Sequence, residues 1–460
     1  MSRWFKYFFY ITCCFSTTAH AAIPETERNA LIALYDNAAG DLWRNNSGWM
    51  GDPGTECQWL GVSCSEDQHI IEISLSDNGL KGEIPKELAT LKRLQKLDLS
   101  RNGLKGSIPL EIGELTNLIT LSLYSNQLSG KIPSELSHLS QLEKLSLSNN
   151  DLSGGIPPEL GTLSHLQELF LSTNPLGGSI PEELAELSQL RRLYLSSNLL
   201  SGEIPVGLAK LNQLTSLNLS NNNLSGSIPK ELGQLNQLTR LNFFSNQLIG
   251  NIPSELGQLG ELKSLHFGDN QFTGTIPQEI GQLSTLRSLS FAYNKLTGTI
   301  DTQLNNISNL SSLSLNNNCF NFGEYAFLQS LADIKALDLG SQDACQDIQN
   351  NDAIVEETRR YDIYIPYIMI EGQAYAVLLE RYYPLSQSEN TPFWRVKEIN
   401  ALDATRESQE NLSTEYDLAT GILHFNKIHL REQVIRAELL PYTPPDYAEE
   451  GIYFKYVPDR

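Results

Sequence analysis

Apolar and polar positions alternate along this chain in a unit that repeats every 24 residues. In one unit the apolar positions are Leu94, Leu97 and Leu99, and the unit ends on Asn102. The Leu-x-Leu spacing has the two-residue period of a β-strand, so Leu97 and Leu99 should point inward while the residues beside them point outward. Asparagine keeps this register throughout, at Asn78, Asn102, Asn126, Asn150, Asn174, Asn198, Asn222, Asn246, Asn270, Asn294 and Asn318.

A fixed period of this length predicts a stacked repeat architecture, in which each unit buries its apolar face only against its neighbours. The short strands should then form one parallel sheet. We interpret the asparagine as a structural residue, because its amide can satisfy backbone groups in the turn that leaves the strand. The glycine column from Gly82 to Gly298 should supply a backbone angle or a close approach that a side chain would block.

An isoleucine-proline pair follows in most units, with glutamate two residues later, as at Ile108, Pro109 and Glu111. This pattern predicts a short helix with proline at its first position and glutamate near the positive end of the helix dipole. One inward leucine column changes to phenylalanine in three consecutive units, which we interpret as core packing rather than as a ligand pocket. These residues are Phe243, Phe267 and Phe291.

Charge narrows the range of partners. The chain has 33 lysines and arginines against 54 aspartates and glutamates. This balance excludes the basic footprint of a nucleic-acid-binding protein and disfavours binding to anionic lipid. The acidity is spread along the chain and indicates a well-solvated surface.

The first 21 residues have the pattern of a secretory signal. Basic Arg3 and Lys6 precede an apolar stretch over residues 7–15, and small residues at Ala19 and Ala21 mark a cleavage site. A membrane anchor is the alternative, but it needs about 18 apolar residues or more. We therefore expect a secreted or surface-displayed product, extracellular or periplasmic.

Four cysteines remain after that segment: Cys57, Cys64, Cys319 and Cys345. In an oxidising compartment an even number suggests two disulfides, and the sequence positions favour the local pairs Cys57 with Cys64 and Cys319 with Cys345. A metal site is the alternative, but the two pairs are far apart in sequence and no histidine neighbours them at ligand spacing. We expect neither a metal nor another cofactor.

The pattern Leu-x-Gly-x-Ile-Pro resembles the plant-type leucine-rich repeat, and the paired cysteines around Trp59, Gly61 and Val62 resemble the N-terminal cap of that family. The resemblance implies an α/β solenoid, a right-handed superhelix with a parallel concave sheet. It implies a cap over residues 22–69, a repeat array over 70–318, and a degenerate last repeat with a C-terminal cap over 319–345. The family includes receptor-kinase ectodomains and polygalacturonase-inhibiting proteins, so the resemblance implies extracellular recognition rather than catalysis.

The periodicity stops after Cys345, and residues 346–460 become rich in tyrosine, valine and isoleucine. This composition predicts a small β-rich domain. The segment 368–375 can be laid over 428–435 with an offset of 60, which suggests a duplicated hairpin.

Candidate ligand-binding residues are the large side chains on outward strand positions that are otherwise mostly serine. Aromatic residues and arginine dominate binding energy at protein interfaces, and aromatic faces flanked by hydroxyls also suit sugars. The alternative is that these aromatics are only packing neighbours, for example Phe170 beside Tyr194 on the next strand. The candidates are Tyr124, Phe170, Arg191, Arg192, Tyr194, Arg240, Phe244, His266 and Tyr293, accompanied by Lys263 and Arg287.

No catalytic motif is present, so we do not expect an enzyme. The first hypothesis is a recognition protein that binds a protein or carbohydrate ligand through the concave face. The alternative is a structural or adhesive surface protein in which the array is a spacer and the C-terminal β domain makes the contact.

Overall fold

The computed structural model describes residues 22–300, 304, 307–321 and 336–338, together with the backbone of seven strands between residues 363 and 458. The predicted signal segment, residues 1–21, lies outside the described residues. Cys345 does so too, and with it the predicted disulfide to Cys319. The chain divides into two compact units, Met1–Asn351 and Asp352–Arg460.

The first unit is a solenoid built on one long sheet, as the resemblance predicted. The first two strands of this main sheet are antiparallel, and every later pair is parallel. Register follows the 24-residue period, so that Leu145, Leu169 and Leu193 lie directly beside one another. The strands are Val62–Cys64, Ile70–Ser74, Lys96–Asp98, Thr120–Ser122, Lys144–Ser146, Glu168–Phe170, Arg192–Tyr194, Ser216–Asn218, Arg240–Asn242, Ser264–His266, Ser288–Ser290, Ser312–Ser314 and Ala336–Asp338.

The inward leucines form a continuous core. Leu97 and Leu99 are fully buried, as the two-residue period predicted. Phe243, Phe267 and Phe291 are also fully buried, and successive ring centroids lie 5.2 and 6.0 Å apart. Their prediction as core packing is confirmed. Because every unit contributes the same layer of side chains, the core extends along the stack without interruption.

The asparagines form a hydrogen-bonded ladder between neighbouring repeats. The amide of Asn174 donates to the carbonyl oxygens of Leu171, at 2.9 Å, and of Leu147 in the preceding repeat, at 3.1 Å. Its Oδ1 accepts from the backbone N–H of Leu152 at 3.0 Å. Asn174 is only 4% exposed, so this side chain satisfies backbone groups that water cannot reach. The structural interpretation of the asparagine is therefore confirmed.

The turn after each strand depends on two left-handed backbone positions. One is the residue before the asparagine, with φ between 53° and 59°, whatever its type: Asp77, Arg101, Thr173 and Tyr293 all adopt it. The other is the predicted glycine column, where Gly178 has φ of 74°. Glycine adopts this conformation without the steric penalty that other residues incur.

Each isoleucine-proline pair leads into one five-residue 3₁₀ helix. Proline does not occupy the first helical position as predicted. Pro109 precedes the helix Leu110–Glu114 with an extended ψ of 132°, and its carbonyl accepts from the N–H of Ile112 at 3.1 Å. Proline thus acts as the N-cap residue, because its fixed φ suits the turn while its ψ still belongs to the incoming extended chain. Glutamate lies in the first turn, as predicted.

The 3₁₀ helices of the array are Lys86–Thr90, Leu110–Glu114, Ser134–His138, Pro158–Thr162, Glu182–Glu186, Val206–Lys210, Lys230–Gln234, Ser254–Gln258 and Gln278–Gln282. Short strands between the main sheet and these helices pair in small parallel sheets. They are Lys81–Gly82, Gly103–Gly106, Gln127–Lys131, Asp151–Ser153, Ser201–Gly202, Asn223–Leu224, Ile249–Gly250, Gln271–Phe272, Thr297–Thr299 and Cys319–Asn321.

The N-terminal end of the core is covered by a separate cap. It contains the helix Glu25–Asn37, the 3₁₀ helices Gly40–Leu42 and Glu56–Gln58, and a disulfide between Cys57 and Cys64. This pairing confirms the first of the two predicted bridges. Asn78 has no preceding repeat, and it exchanges two 2.8 Å hydrogen bonds with the backbone of Asn45 instead. The cap therefore completes the ladder at its open end.

An aromatic cluster fills the interior of the cap. Ring centroids of Tyr35 and Trp43 lie 5.3 Å apart, those of Trp43 and Trp49 4.8 Å, and those of Trp49 and Trp59 5.1 Å. Glu56, which is 1% exposed, forms an ion pair with Arg28. These contacts explain the tryptophan-rich sequence of the segment by packing.

The second unit contains seven strands that hydrogen-bond in a closed order. Two hairpins with two-residue loops recur in it, with inner bounds at residues 370 and 373 in the first and 430 and 433 in the second. Both hairpins carry a register shift at matching places. The strands are Ile363–Ile370, Gln373–Tyr382, Phe393–Ala401, Thr414–Asp417, Ile422–Leu430, Gln433–Tyr442 and Tyr453–Pro458.

Candidate ligand-binding face

We define the sheet face as the outward residues of the main-sheet strands, with the residue before each strand and the second residue after it. In the repeat that carries Asn246 these are Thr239, Arg240, Asn242 and Phe244. The strand hydrogen bonds hold such residues of neighbouring repeats side by side, about 4.8 Å apart. The backbone is therefore a regular platform on which only the side chains change.

Charges in the first part of this face are largely paired. Lys96 contacts Glu72 on the neighbouring strand at 2.8 Å, and the hydrogen bond from Lys96 is the main cause that lowers the pKa of the Glu72 carboxyl. Glu168 lies between Lys144 and Arg192, at 3.2 and 2.8 Å. Both lysines that the sheet face carries between residues 71 and 172 are therefore paired with a glutamate.

Two aromatic candidates lie against this ionic group. The rings of Phe170 and Tyr194 are 5.1 Å apart at an angle of 49°, so the cross-strand contact anticipated as the packing alternative exists. Lys144 Nζ lies 5.4 Å from the centre of the Phe170 ring. The Ser216 hydroxyl donates to the Tyr194 hydroxyl at 3.2 Å. We call Lys144, Glu168, Phe170, Arg192 and Tyr194 the central cluster.

Tyr124 is separate from the central cluster. It is half-buried, and the Arg101 guanidinium lies 5.5 Å from its ring centre. Arg101 occupies the left-handed turn position of the preceding repeat. One full repeat lies between Tyr124 and Phe170, so the two residues contribute to different parts of the face.

The later part of the sheet face has a different charge. Between residues 191 and 292 its positions hold five basic residues and no aspartate or glutamate; the basic residues are Arg191, Arg192, Arg240, Lys263 and Arg287. Arg192 is paired with Glu168. The other four are exposed, and none of them forms an ion pair with a described side chain.

Three of these cations occupy successive repeats, and we call Arg240, Lys263 and Arg287 the basic patch. Their backbones are fixed by inter-repeat hydrogen bonds: Lys263 N–H donates to Thr239 O at 2.8 Å, and Arg287 N–H donates to Lys263 O at 2.9 Å. The three side chains are therefore held on a rigid support although none has an anionic partner among the described side chains.

His266 lies on the strand beside Arg240–Asn242, opposite Asn242. Its Nε2 is 2.7 Å from the hydroxyl of Ser288 and 3.3 Å from that of Ser264. Burial lowers its pKa, which favours the neutral imidazole. The distance between His266 and Ser288 is typical of a catalytic base beside a nucleophile. Among the described contacts, however, no carboxylate orients the imidazole ring from its other side. The arrangement therefore lacks the third group that such catalytic sites use.

Two candidate aromatics are well exposed. Phe244 is 39% exposed, and its ring lies over Gly268 of the next repeat, where an added Cβ would come within 3.2 Å of Cδ2. Tyr293 is 43% exposed. Its position differs from the prediction, because it occupies the left-handed turn after the strand, with φ of 55°, rather than an outward strand position.

Most of the predicted residues therefore form two groups, whereas Tyr124, Arg191 and Tyr293 belong to neither. Phe170, Arg192 and Tyr194 come together with Lys144 and Glu168, which sequence reasoning missed. Lys144, Glu168 and Arg192 follow one another at intervals of 24 residues, and this spacing was the signal that could have found the first two. Arg240, Phe244 and His266 lie on neighbouring repeats in the second group, with the basic patch.

Other features of the first unit do not compete with this face. Two concavities, of about 860 and 960 Å³, lie on the helix side and are lined mainly by the repeating isoleucine-proline and glutamate positions, so the periodic fold itself accounts for them. The described residues contain no group of side chains suited to hold a metal ion. Within the same residues, no helix combines the length and apolar character that a membrane span needs.

Comparisons with known proteins agree with this architecture. The Leucine Rich Repeat family model matches residues 93–115, 117–139, 141–163, 165–187, 189–211, 213–235, 237–259 and 261–283. A probable leucine-rich repeat receptor-like protein kinase from Arabidopsis thaliana is 38% identical over 50 residues, 11% of this chain and 5% of that protein. A receptor-like protein kinase from Ipomoea nil is 33% identical over 93 residues, 19% of this chain and 8% of that protein. The chain thus matches only a small part of these relatives.

Two solved structures are similar over a larger region. The ectodomain of the Arabidopsis receptor kinase HAESA, in complex with the peptide hormone IDA and the co-receptor SERK1, is 30% identical with a TM-score of 0.52. The match covers 65% of this chain and 54% of that chain. A plant ice-binding protein is 29% identical with a TM-score of 0.56, and the match covers 65% of this chain and 96% of that chain.

Proposed function

Since the chain belongs to the plant-type leucine-rich repeat family, we propose that it is a recognition protein that binds a protein or glycan ligand through the sheet face. The observation that carries this proposal is the variety of the outward positions. In the columns that hold Phe170, Tyr194 and Arg240, other repeats have Ser122, Ser146 and other small polar residues. The fold therefore does not require aromatic or basic residues there, and a ligand does explain them.

A polypeptide is the ligand class that the comparisons favour. The receptor kinase HAESA, to which this chain is similar, is in complex with a peptide hormone and a co-receptor in its structure. The sheet face here offers polar groups on successive strands, for example Asn218, Asn242 and His266 at matching strand positions, together with the exposed ring of Phe244. Such groups can hydrogen-bond an extended peptide backbone while the rings contact its side chains.

The proposed site of action is outside the cell or at its surface. The predicted signal segment supports this location, and so does the Cys57–Cys64 disulfide, because such bonds persist in oxidising compartments. The proposed role is binding without turnover. In the alternative, the array is a spacer and the β-rich second unit makes the contact. Binding would then depend on the surface of the second unit and not on the sheet face.

A selection with a defined probe separates these possibilities. A random 12-residue peptide library would be selected on the full-length protein and on the double variant Arg192→Glu, Arg240→Glu. We expect the enriched peptides to lose most of their binding to this variant, because both substitutions reverse charge on the sheet face without touching the core. Binding would be measured by fluorescence anisotropy.

The matched control is Lys86→Glu with Lys230→Glu, which makes the same charge change at the exposed first residues of two 3₁₀ helices. The control should bind the peptides as the unchanged protein does. If the sheet-face variant and the control behave alike, recognition does not use the sheet face and the spacer alternative is favoured.

A further inference from the structure

Charge is distributed unevenly along the sheet face. From residue 71 to 172 its positions hold four acidic residues, Glu72, Asp98, Glu143 and Glu168, against two lysines, Lys96 and Lys144. From residue 191 to 292 they hold five basic residues and no acidic residue. This reversal occurs in a chain whose formal net charge is −21, so it does not follow from composition.

The fold does not account for the basic patch. Equivalent positions in nearby repeats carry hydroxyls: Ser216 and Ser264 in the column of Arg240, and Thr239 and Ser311 in the column of Lys263 and Arg287. Three cations on successive strands lie within about one Debye length of one another at physiological salt and repel each other. A partner that supplies the opposite charge would relieve this repulsion.

The surroundings of the basic patch indicate the chemistry of that partner. Phe244 presents an exposed ring, and Asn242 and His266 present an amide and an imidazole on the adjoining strands. An apolar surface beside amide-type groups suits a polypeptide, which has both side chains and backbone amides to contact. The basic patch then suits its carboxylates.

On the basis of the proposed function, we propose that the basic patch binds an acidic segment of the polypeptide ligand. The ligand is oriented by this contact, because the first part of the sheet face carries acidic residues that repel the same segment. Glu168 marks the boundary, since it pairs with both Lys144 and Arg192, whereas the later cations have no anionic partner among the described side chains.

The test compares two triple variants of the full-length protein. The first is Arg240→Ser, Lys263→Thr, Arg287→Ser, which introduces hydroxyl residues found at equivalent positions in nearby repeats. The second is Lys86→Ser, Lys105→Ser, Lys230→Ser, which removes the same charge from exposed positions outside the sheet face. Circular dichroism and the thermal midpoint verify that both variants fold.

A random 12-residue library with acetylated and amidated ends is selected on the unchanged protein, so that only side chains can supply carboxylates. We expect enrichment of aspartate and glutamate. Individual acidic peptides should bind the sheet-face variant about tenfold more weakly and with less dependence on salt, because the ion contacts are gone. The control variant should retain the original affinity.

Three results would overturn the proposal of an acidic ligand, and they differ in whether the proposed function of the sheet face is retained. Enriched peptides that are not acidic, yet need the sheet face, leave the proposed function intact and remove the acidic ligand. Acidic peptides that bind both triple variants equally show attraction elsewhere on the protein. If no peptide is enriched and a heparin oligosaccharide binds with dependence on the basic patch, the ligand is an anionic glycan.

Discussion

The two sides of the main sheet obey opposite rules. On the inner side, leucine and asparagine recur with almost no variation. The ladder asparagines described from Asn102 to Asn318 donate to a backbone carbonyl of the preceding repeat, except Asn198, which instead accepts from the Asn174 N–H. On the outer side most residues are small and polar, but serine gives way to arginine, phenylalanine or histidine in some repeats. The inner side therefore defines the fold, and the outer side is free to define the ligand.

The separation has a geometric cause. Side chains alternate across a strand, so neighbouring residues in sequence belong to different environments. A substitution on one side should therefore leave the other side almost unchanged. The predictions below test how complete this separation is.

The largest effect is expected at the asparagine ladder. Asn174→Ala removes the partners of the buried Leu152 N–H and the Leu171 carbonyl. Because each buried polar group left unsatisfied costs about 1 to 3 kcal/mol, we expect a loss of about 2 to 6 kcal/mol in the free energy of unfolding. Urea denaturation followed by circular dichroism measures it.

The control for this substitution is Ser148→Ala, an outward residue of the neighbouring repeat. It should change the free energy of unfolding by no more than about 0.5 kcal/mol. Equal effects of the two substitutions would contradict the separation of the two sides.

A similar but smaller loss is expected in the leucine core. Leu241 is fully buried and its neighbour Arg240 is exposed. Leu241→Ala should cost about 2 to 5 kcal/mol through lost burial and a cavity, whereas Arg240→Ala should cost about 0.5 kcal/mol or less. The same denaturation measurement compares them. A large cost at Arg240 would mean that the basic patch stabilises the fold, and would weaken its assignment to a ligand.

The sequence predicted the inner side well because that side is periodic. Each inner position of the repeat needs one residue type, so the roles of Leu97, Asn102 and Gly106 can be inferred from the recurrence of the same residue every 24 positions. The left-handed turn position could not be found in this way. Asp77, Thr173 and Tyr293 share the same backbone angle but no chemistry, because the neighbouring hydrogen bonds impose the angle on whatever residue is present.

The outer side was predicted only as a set of candidates. Composition singled out the large residues, but it did not show which charges neutralise each other. The structure shows which side chains pair, because Glu168 lies within ion-pair distance of both Lys144 and Arg192. Whether these residues bind a ligand stays a prediction.

A smaller effect is expected at the left-handed turn. Thr173 is β-branched and has φ of 59°, whereas Asn149 adopts φ of 57° at the same position one repeat earlier. Asparagine tolerates this region better than threonine does, so Thr173→Asn should raise stability by up to about 1 kcal/mol. The reverse substitution, Asn149→Thr, should lower it. A rise or fall of the thermal midpoint in the same direction for both variants would contradict the explanation by backbone strain.

The smallest effect concerns pH and joins the two sides of the sheet at one residue. His266 is on the outer side but is buried enough that desolvation lowers its pKa from the ordinary value of 6.5. In the interval between the two pKa values the unfolded chain binds more protons than the folded chain. Stability contributed by the neutral imidazole is therefore present above pH 6.5 and is lost as pH falls through the folded-state pKa.

His266→Gln should remove this part of the pH dependence while retaining a side chain that can hydrogen-bond Ser288. We expect the unchanged protein to lose more stability than the variant between pH 7.5 and a pH below the folded-state pKa, because all other titrating groups are common to both. Urea denaturation at each pH measures the difference, and the same substitution at the exposed His165 is the control for loss of an imidazole. Parallel curves for the protein and the His266 variant would show that this outward side chain is as independent of the fold as its serine neighbours, which would make the separation of the two sides complete.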